Sequence, residues 1–179
     1  MRAIFIRHAE SSGQEPAASL TASGAVQARE LAATLHSASI DRVITSPFRR
    51  ARQTAEPLAV RATLELDDRL AEWQVPWVPD AEWPRELRRV LSGDTALPDD
   101  VEPRDAAIAR GLDAFREAAT DKTGVPALVT HGKLLALVLS ALGGGDPFEL
   151  FMTFRSPHAF EVQAVGSVFE IRTLWHPPV

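Results

Sequence analysis

The chain has 179 residues, of which 45% are hydrophobic and 24% charged, so we expect residues 1–179 to form a single globular domain. It contains no cysteine, which excludes disulfides, thiolate metal sites and cysteine nucleophiles. Its net charge of −5 disfavours a broad nucleic-acid or anionic-membrane surface, and no apolar run approaches the roughly 20 residues needed to cross a bilayer.

The first part of the chain alternates short apolar strands with helical patterns. Residues 2–7 predict a strand of the mature fold rather than a signal peptide, so we expect a cytoplasmic protein. Thr21 caps a predicted helix that reaches about residue 37, and residues 42–45 predict a second buried strand. Ser46 and Pro47 are typical of a helix start, and that helix is predicted to reach about residue 60.

The second part continues this alternation, which predicts an α/β fold: a three-layer sandwich whose mostly parallel central sheet is flanked by helices. The predicted elements are strands at 64–66 and 126–130, helices at 80–91, 103–119 and 133–142, and a closing hairpin at 159–165 and 167–175. Residues 73–100 are unusual because they hold three of the four tryptophans, Trp73, Trp77 and Trp83. We interpret them as a variable cover segment.

Three of the predicted strands end beside residues suited to phosphate. The first ends at Arg7 and His8, the second leads into a helix that carries Arg50, and the third ends at His131 and Gly132. Ligands of open α/β sheets bind outside the carboxyl ends of parallel strands, where helix N-termini add free N–H groups. If the three strands are parallel neighbours, two imidazoles and two guanidiniums meet in one pocket.

This set of side chains predicts phosphoryl-transfer chemistry. Arginine forks neutralise and orient a phosphate monoester, a neutral imidazole such as His8 can attack phosphorus, and a second one such as His131 can donate a hydrogen bond. The arginines do the work of a metal, so the sequence predicts no metal and no other cofactor. Two alternatives are a metallohydrolase with Glu10 among its ligands, which no metal-ligand spacing supports, and a non-catalytic phosphate-binding module.

Other basic residues have simpler interpretations. Arg49 and Arg52 are expected on a solvated helix face. His36 is expected at the surface, and His158 and His176 are expected to have structural roles near the final hairpin.

Four stretches in chain order match the motifs of a known family. They are RHAES at residues 7–11, LTASGAVQA at 20–28, SPFRRARQTA at 46–55 and VTHG at 129–132. Together they resemble the histidine phosphatase superfamily, also called phosphoglycerate mutase-like, with Ala9 in place of the family's glycine. The resemblance implies that His8 becomes phosphohistidine and that Arg7, Arg50 and His131 bind the phosphate together with Gly132.

Two further site residues follow from the resemblance. Gln14 stands where the family often has an asparagine, so its side chain is expected to donate to the phosphate. Glu72, in the context Leu70-Ala71-Glu72, is expected to be the general acid. Its alternative interpretation is an exposed loop carboxylate.

The resemblance implies a metal-independent phosphatase whose partner is a small phosphorylated substrate, not nucleic acid or a membrane. The alternatives are a protein phosphohistidine phosphatase and a phosphoglycerate mutase; the chain ends just after its last strand, without the mutases' closing tail, which favours hydrolysis. Substrate choice is expected to lie in residues 73–100, where Arg85, Arg88 or Arg89 meets a second anionic group or else lies on a solvated face. The oligomeric state is not predicted.

Overall fold

The computed structural model of the chain describes residues 1–76, 82–120 and 124–178. Within these residues there are six strands and six α-helices. The strands are β1 (Arg2–Arg7), β2 (Ile40–Thr45), β3 (Thr63–Leu66), β4 (Val125–Thr130), β5 (His158–Val165) and β6 (Val168–Trp175). The helices are α1 (Ala22–Thr34), α2 (Arg49–Ala55), α3 (Trp83–Ser92), α4 (Arg104–Ala118), α5 (Gly132–Gly143) and α6 (Pro147–Thr153).

The six strands form one sheet in the order β3-β2-β4-β1-β5-β6. The β3-β2, β2-β4 and β4-β1 pairs are parallel, and the β5-β6 hairpin joins β1 antiparallel. Arg7 lies opposite Thr130, and Thr45 lies opposite Val129, so the carboxyl ends of the three central strands coincide. The predicted α/β fold with a mostly parallel sheet is confirmed, and so is the neighbourhood of the three strands.

Helices cover both faces of the sheet, which makes the predicted three layers. Along β1, Phe5 packs into a core with α4 and α5, while Ile4 and Ile6 pack with α1 and α2 on the opposite face. Every residue of β4 is buried, as expected for a central strand covered on both sides. No helix in the described part of the chain has both the length and the apolar character needed to cross a membrane.

The helix predicted at 47–60 is shorter in the structure. Phe48 is extended, with φ −64° and ψ 135°, and its N–H donates to Ser46 Oγ at 3.2 Å, so the helix begins only at Arg49. It ends at Ala55, and a separate 3₁₀ turn follows at Leu58–Arg61. Pro57 has no N–H for the α-helical hydrogen-bond ladder, which explains the interruption.

Helix α6 was not predicted, although its start carries a clear signal. Asp146 Oδ1 accepts hydrogen bonds from the N–H groups of Phe148 (2.8 Å) and Glu149 (3.0 Å), and Pro147 occupies the first turn. The helix has only seven residues, so its apolar pattern is too short to stand out beside the three preceding glycines. It packs on α5 and α3, and its Phe151 ring lies 5.6 Å from Cζ of Arg7 at the carboxyl end of β1.

Two tryptophans of the segment 73–100 can be placed, whereas Trp77 and the first residues of the predicted 80–91 helix lie outside the described residues. Trp73 is fully buried in the core, and its Nε1–H donates to the Glu102 carbonyl at 2.9 Å. Trp83 opens α3 and packs against Phe151, with ring centroids 5.9 Å apart. The segment therefore anchors to the main core at both places.

Candidate active site

Four of the predicted site residues meet at the carboxyl edge of the sheet. Arg7 is the last residue of β1 and His8 follows it, Arg50 lies in the first turn of α2, and His131 is the residue directly before α5. The rings of His8 and His131 have centroids 5.0 Å apart, and Arg50 Nε lies 3.1 Å from His8 Nε2. His8, Arg50 and His131 are almost completely buried.

His8 presents the lone pair of Nε2 to this site. Its Nδ1 lies 2.7 Å from the Ala9 carbonyl, which can only accept, so Nδ1 carries the proton. Nε2 then accepts from Arg50 Nε. Burial lowers the pKa of His8 well below its usual range, and the neighbouring His131 ring and the charges of Arg50 and Arg7 lower it further, while the Ala9 carbonyl opposes them. The ring is therefore neutral at neutral pH, the form that a nucleophile needs.

Arg50 is held in place by backbone carbonyls. Its Nη1 donates to the carbonyls of Gln14 (3.0 Å) and Glu15 (2.8 Å), and its guanidinium lies over the Phe48 ring at 5.0 Å. Thr54 Oγ1 donates to the Arg50 carbonyl at 2.8 Å and accepts from the Ala9 N–H at 3.0 Å. The Thr54 hydroxyl thus ties α2 to the residue after His8.

Arg7 is supported by α6 and by the loop after it. Its Nη1 donates to the carbonyls of Phe154 (3.3 Å) and Arg155 (3.5 Å), and its Cζ lies 5.6 Å from the centre of the Phe151 ring. A Cβ at Gly132 would stand 2.8 Å from Phe151 and 3.3 Å from Arg7 Nε. Gly132 therefore lets α5 start directly against Arg7.

His131 is fully buried, with its Nε2 2.7 Å from Ser46 Oγ. Its ring makes edge contacts with His8 and with Phe48, whose centroid is 4.9 Å away. Burial lowers the pKa of His131 well below its usual range, and so do the nearby charges of Arg50, Lys133, Arg110 and Arg7. Like His8, His131 is neutral at neutral pH.

Three buried polar atoms of this site have no hydrogen-bond partner within the described residues: Arg7 Nε, Arg50 Nη2 and His131 Nδ1. Two others are found elsewhere in that part of the chain, Arg42 Nε and His158 Nε2. Buried polar atoms are normally paired, since an unpaired one costs about 1–3 kcal/mol. Both arginine atoms are obligate donors, so an anion with several acceptor oxygens matches this site.

Glu72 lies beside these cations at the start of α5. Its Oε1 accepts from the N–H groups of Trp73 (2.9 Å) and Leu134 (3.2 Å), and its Oε2 lies 3.7 Å from Lys133 Nζ. Burial lowers the pKa of Arg7, and the charge of Glu72 partly opposes that shift. The alternative interpretation of Glu72 as an exposed loop carboxylate is wrong, because its side chain is only 9% exposed and caps a helix.

Gln14 reaches the site through its backbone. Its carbonyl accepts from Arg50, whereas the residue as a whole is exposed. Contact between the Gln14 amide and a phosphate stays a prediction.

The arginines of α3 point to carboxylates. Arg85 pairs with Glu82 and Glu86, and Arg89 also pairs with Glu86. Arg88 pairs with Glu149 and Asp146 of the α6 region and lies over Phe148. These contacts give no support to a second anion subsite at α3.

Among the remaining basic residues, Arg49, Arg52 and His36 are exposed, as predicted. His158 is buried, and its Nδ1 accepts from the Arg155 N–H at 3.2 Å, so it supports the loop that holds Arg7. Burial lowers the pKa of His158 to about 4, with smaller contributions from His176, Arg7 and Arg155.

Sequence reasoning missed the supporting residues of the site, notably Ser46, Thr54 and Phe151. Ser46 and Thr54 both lie in the matched stretch at 46–55, which is the signal that could have identified them. Nothing in the sequence distinguishes Phe151 from other apolar helix residues. In the described part of the chain, no cluster of three or more His, Cys, Asp or Glu side chains is arranged to hold a metal ion.

Comparison with known proteins identifies the family of this chain. A family model described as histidine phosphatase superfamily (branch 1) matches residues 3–163. No curated protein sequence matches the chain.

Solved structures with the same fold include two phosphatases. One is a mycobacterial glucosyl-3-phosphoglycerate phosphatase in complex with VO3, with a TM-score of 0.74, 20% identity and 96% of each chain covered. The other is the phosphoserine phosphatase of Entamoeba histolytica in complex with 3-phosphoglyceric acid, with a TM-score of 0.73 and 18% identity, covering 95% of this chain and 94% of that one.

Proposed function

This chain belongs to the histidine phosphatase superfamily (branch 1), and we propose that it hydrolyses a small-molecule phosphate monoester through a phosphohistidine at His8. The predicted superfamily, fold and enzyme class, that of phosphoric monoester hydrolases, are confirmed. The substrate and the residue roles given below belong to the proposal.

The observation that carries the proposal is the set of unpaired buried polar atoms around the His8 lone pair. Arg7 Nε, Arg50 Nη2 and His131 Nδ1 have no partner within the described residues. Arg50 donates to His8 Nε2, the His131 ring lies beside the His8 ring, and the charge of Arg7 acts on His8. A phosphate dianion offers oxygens to all three and places phosphorus against the lone pair. Such preorganised donors stabilise the charge that spreads over the equatorial oxygens in the transition state.

The first step transfers the phosphoryl group. Phosphate oxygens replace His8 Nε2 as the partner of the Arg50 guanidinium, which frees the lone pair. Nε2 then forms a bond to phosphorus as the bond to the ester oxygen breaks in line. As the general acid, the Glu72 carboxyl group delivers the proton that the leaving oxygen takes up.

The second step regenerates the enzyme. A water molecule attacks phosphorus opposite His8 and gives a proton to the Glu72 carboxylate. The N–P bond breaks, its electron pair returns to Nε2, and inorganic phosphate leaves. Arg7, Arg50 and His131 hold the same three oxygens throughout, so no charge has to be reorganised between the steps.

Phosphate release from a panel of small phosphorylated compounds tests the function. We expect release from at least one phosphorylated sugar or hydroxy acid, at a rate that saturating chelator leaves unchanged, because two arginines neutralise the phosphate. A His8→Gln preparation made in parallel controls for contaminating phosphatases. Turnover of a phosphohistidine peptide alone would indicate a protein phosphohistidine phosphatase. Loss with chelator and rescue by a divalent ion would indicate a metallohydrolase.

Replacing the proposed acid tests its role. Glu72→Gln is expected to slow hydrolysis of an alkyl phosphate by about 100-fold or more, within the range for general acid catalysis. Hydrolysis of 4-nitrophenyl phosphate, whose leaving group needs no proton, should change only a few-fold.

The same variant separates catalysis from helix capping. The amide of the Glu72→Gln variant keeps one oxygen that can accept from the N–H groups of Trp73 and Leu134, but its NH2 group faces the N–H and Nζ of Lys133. We therefore expect a modest fall in melting temperature without loss of the fold. Glu65→Gln, on the exposed strand β3, is the matched control. Equal slowing of both substrates by Glu72→Gln would remove Glu72 from the acid role.

A further inference from the structure

We propose that Ser46 is a positioning residue that fixes the tautomer of His131, so that His131 presents a ring N–H to the phosphate. The inference rests on the proposed function and deepens it. Ser46 and His131 are separated by 85 residues in sequence, yet Ser46 Oγ lies 2.7 Å from His131 Nε2 and both residues are completely buried.

The hydrogen bonds of the Ser46 hydroxyl decide where its proton lies. A hydroxyl has one proton to donate and can accept two hydrogen bonds. Ser46 Oγ accepts from the Phe48 N–H at 3.2 Å. Within residues 1–76, 82–120 and 124–178, the atom placed to accept the hydroxyl proton of Ser46 is His131 Nε2.

The proton on His131 must then be on Nδ1. A neutral imidazole has one N–H and one lone pair, and Nε2 uses its lone pair to accept from Ser46. With the proton on Nε2 instead, Ser46 Oγ would accept from both the Phe48 N–H and the His131 ring. The hydroxyl proton of Ser46 would then be buried without an acceptor in the described residues, which would destabilise that tautomer.

The two histidines of the site therefore share a tautomer and play opposite roles. Both carry the proton on Nδ1. In His8 that proton is used by the Ala9 carbonyl, and the Nε2 lone pair is left for attack. In His131 the lone pair is used by Ser46, and the Nδ1–H is left unpaired in the buried site, within the described residues. A phosphate oxygen can accept a hydrogen bond from this N–H. In the opposite tautomer, Nδ1 would instead present a lone pair to the phosphate dianion, which would repel it.

The tautomer matters because the His131 ring is neutral. Charged groups of four elements surround it: Arg7 of β1, Arg50 of α2, Arg110 of α4 and Lys133 of α5, and the His8 ring faces it as well. These cations disfavour an imidazolium, which would carry both protons and make Ser46 irrelevant. At neutral pH the hydroxyl of Ser46 therefore selects the nitrogen that donates.

Nitrogen NMR of the histidine rings, together with kinetics, tests the inference. In the unmodified protein, the His131 spectrum should show the proton on Nδ1, and adding inorganic phosphate should shift that resonance. In Ser46→Ala, the proton should move wholly or partly to Nε2. We expect kcat/KM at neutral pH to fall about 10- to 100-fold, by analogy with the loss found when the hydrogen-bond partner of a metal-bound histidine is removed.

The pH profile gives a readout that a merely structural role would not move. The deficit of Ser46→Ala should stay constant from about pH 8 to about pH 6.5. It should shrink only well below that range, where the lowered pKa of His131 is reached, because a protonated ring donates from Nδ1 with or without Ser46. Ser46→Thr keeps the hydroxyl and should keep the original tautomer. Thr130→Val removes another buried hydroxyl, one bonded to the Leu70 carbonyl, and should leave the His131 tautomer unchanged.

The outcomes are distinguishable from failure of the proposed function. A proton on Nε2 in the unmodified protein, or an unaltered tautomer in Ser46→Ala, overturns the inference whatever the activity. If Ser46→Ala does not fold, the spectra of the unmodified protein and of Ser46→Thr still show whether the His131 proton is on Nδ1, and so still test the inference. A tautomer that shifts as expected in a protein that hydrolyses no ester would support the role of Ser46 and reject the phosphatase proposal.

Discussion

Replacing His8 is expected to reduce the turnover number by a factor on the order of 10⁴ or more, the scale of losing a covalent nucleophile. The remaining arginines can still bind phosphate, but no side chain at the position of Nε2 can accept the phosphoryl group. His8→Gln is preferable to alanine alone, because an amide oxygen can still accept from Arg50 Nε in the buried site. The assay is phosphate release from 4-nitrophenyl phosphate and from the best substrate of the panel.

The covalent intermediate gives a second measurement for the same residue. Rapid quenching under alkaline conditions, which preserve phosphohistidine, followed by peptide mass spectrometry should place one phosphoryl group on His8. His36→Ala, at an exposed residue of the 3₁₀ turn after α1, is the matched control and should behave like the unmodified protein. Substantial turnover by a folded His8→Gln protein, or a phosphoryl group on another residue, contradicts the mechanism.

Replacing Arg50 by alanine should lower kcat/KM by about 10³-fold or more, as expected for an arginine that stabilises the charge of a transferring phosphoryl group. The Arg50 guanidinium is completely buried and joins three partners at once: His8 Nε2 and the carbonyls of Gln14 and Glu15. Arg50→Lys should recover little activity, since one ammonium cannot span these partners and a phosphate oxygen in the same geometry.

The neighbouring Arg49 provides the control for this prediction. Arg49 is exposed on the same turn of α2, so Arg49→Ala removes an equal charge without touching the pocket. Inhibition by inorganic phosphate should weaken in Arg50→Ala and stay the same in Arg49→Ala. Similar kinetics for the two alanine variants, both confirmed folded by circular dichroism, would exclude Arg50 from phosphate binding.

The order of the elements was accessible from sequence because it depends on local patterns. Apolar runs at residues 2–7, 42–45 and 126–130 became neighbouring parallel strands, and Thr21 caps α1 through a bond from the Gly24 N–H. The length of α2 and the existence of α6 were not accessible. For α2, the Ser46 side chain bonds the N–H of Phe48 in a turn, so the helix starts later than the Ser46-Pro47 pair predicts. Helix α6 has only seven residues, which is too few for its apolar residues to show a helical period.

Surface pairing shows a different limit of sequence reasoning. Arg85, Arg88 and Arg89 were candidates for a second anion subsite, yet each finds carboxylates within reach. Long flexible side chains take whichever opposite charge the packed helices bring near them. For Arg88 that charge comes from Glu149, on a helix that the sequence pattern did not reveal.

The sequence by itself determined which chemical groups stand at the ends of which strands: Arg7 and His8, Arg50, and His131 with Gly132. Only the tertiary structure decided what each group does with its polar atoms. It turned Gln14 toward the site through a carbonyl, made Glu72 a cap of α5 and paired Ser46 with His131. It also left three buried polar atoms of the site without a partner in the described residues. Strand ends follow from periodicity along the chain, but hydrogen-bond partners such as Arg7 and the Phe154 carbonyl lie 147 residues apart, and only packing brings them together.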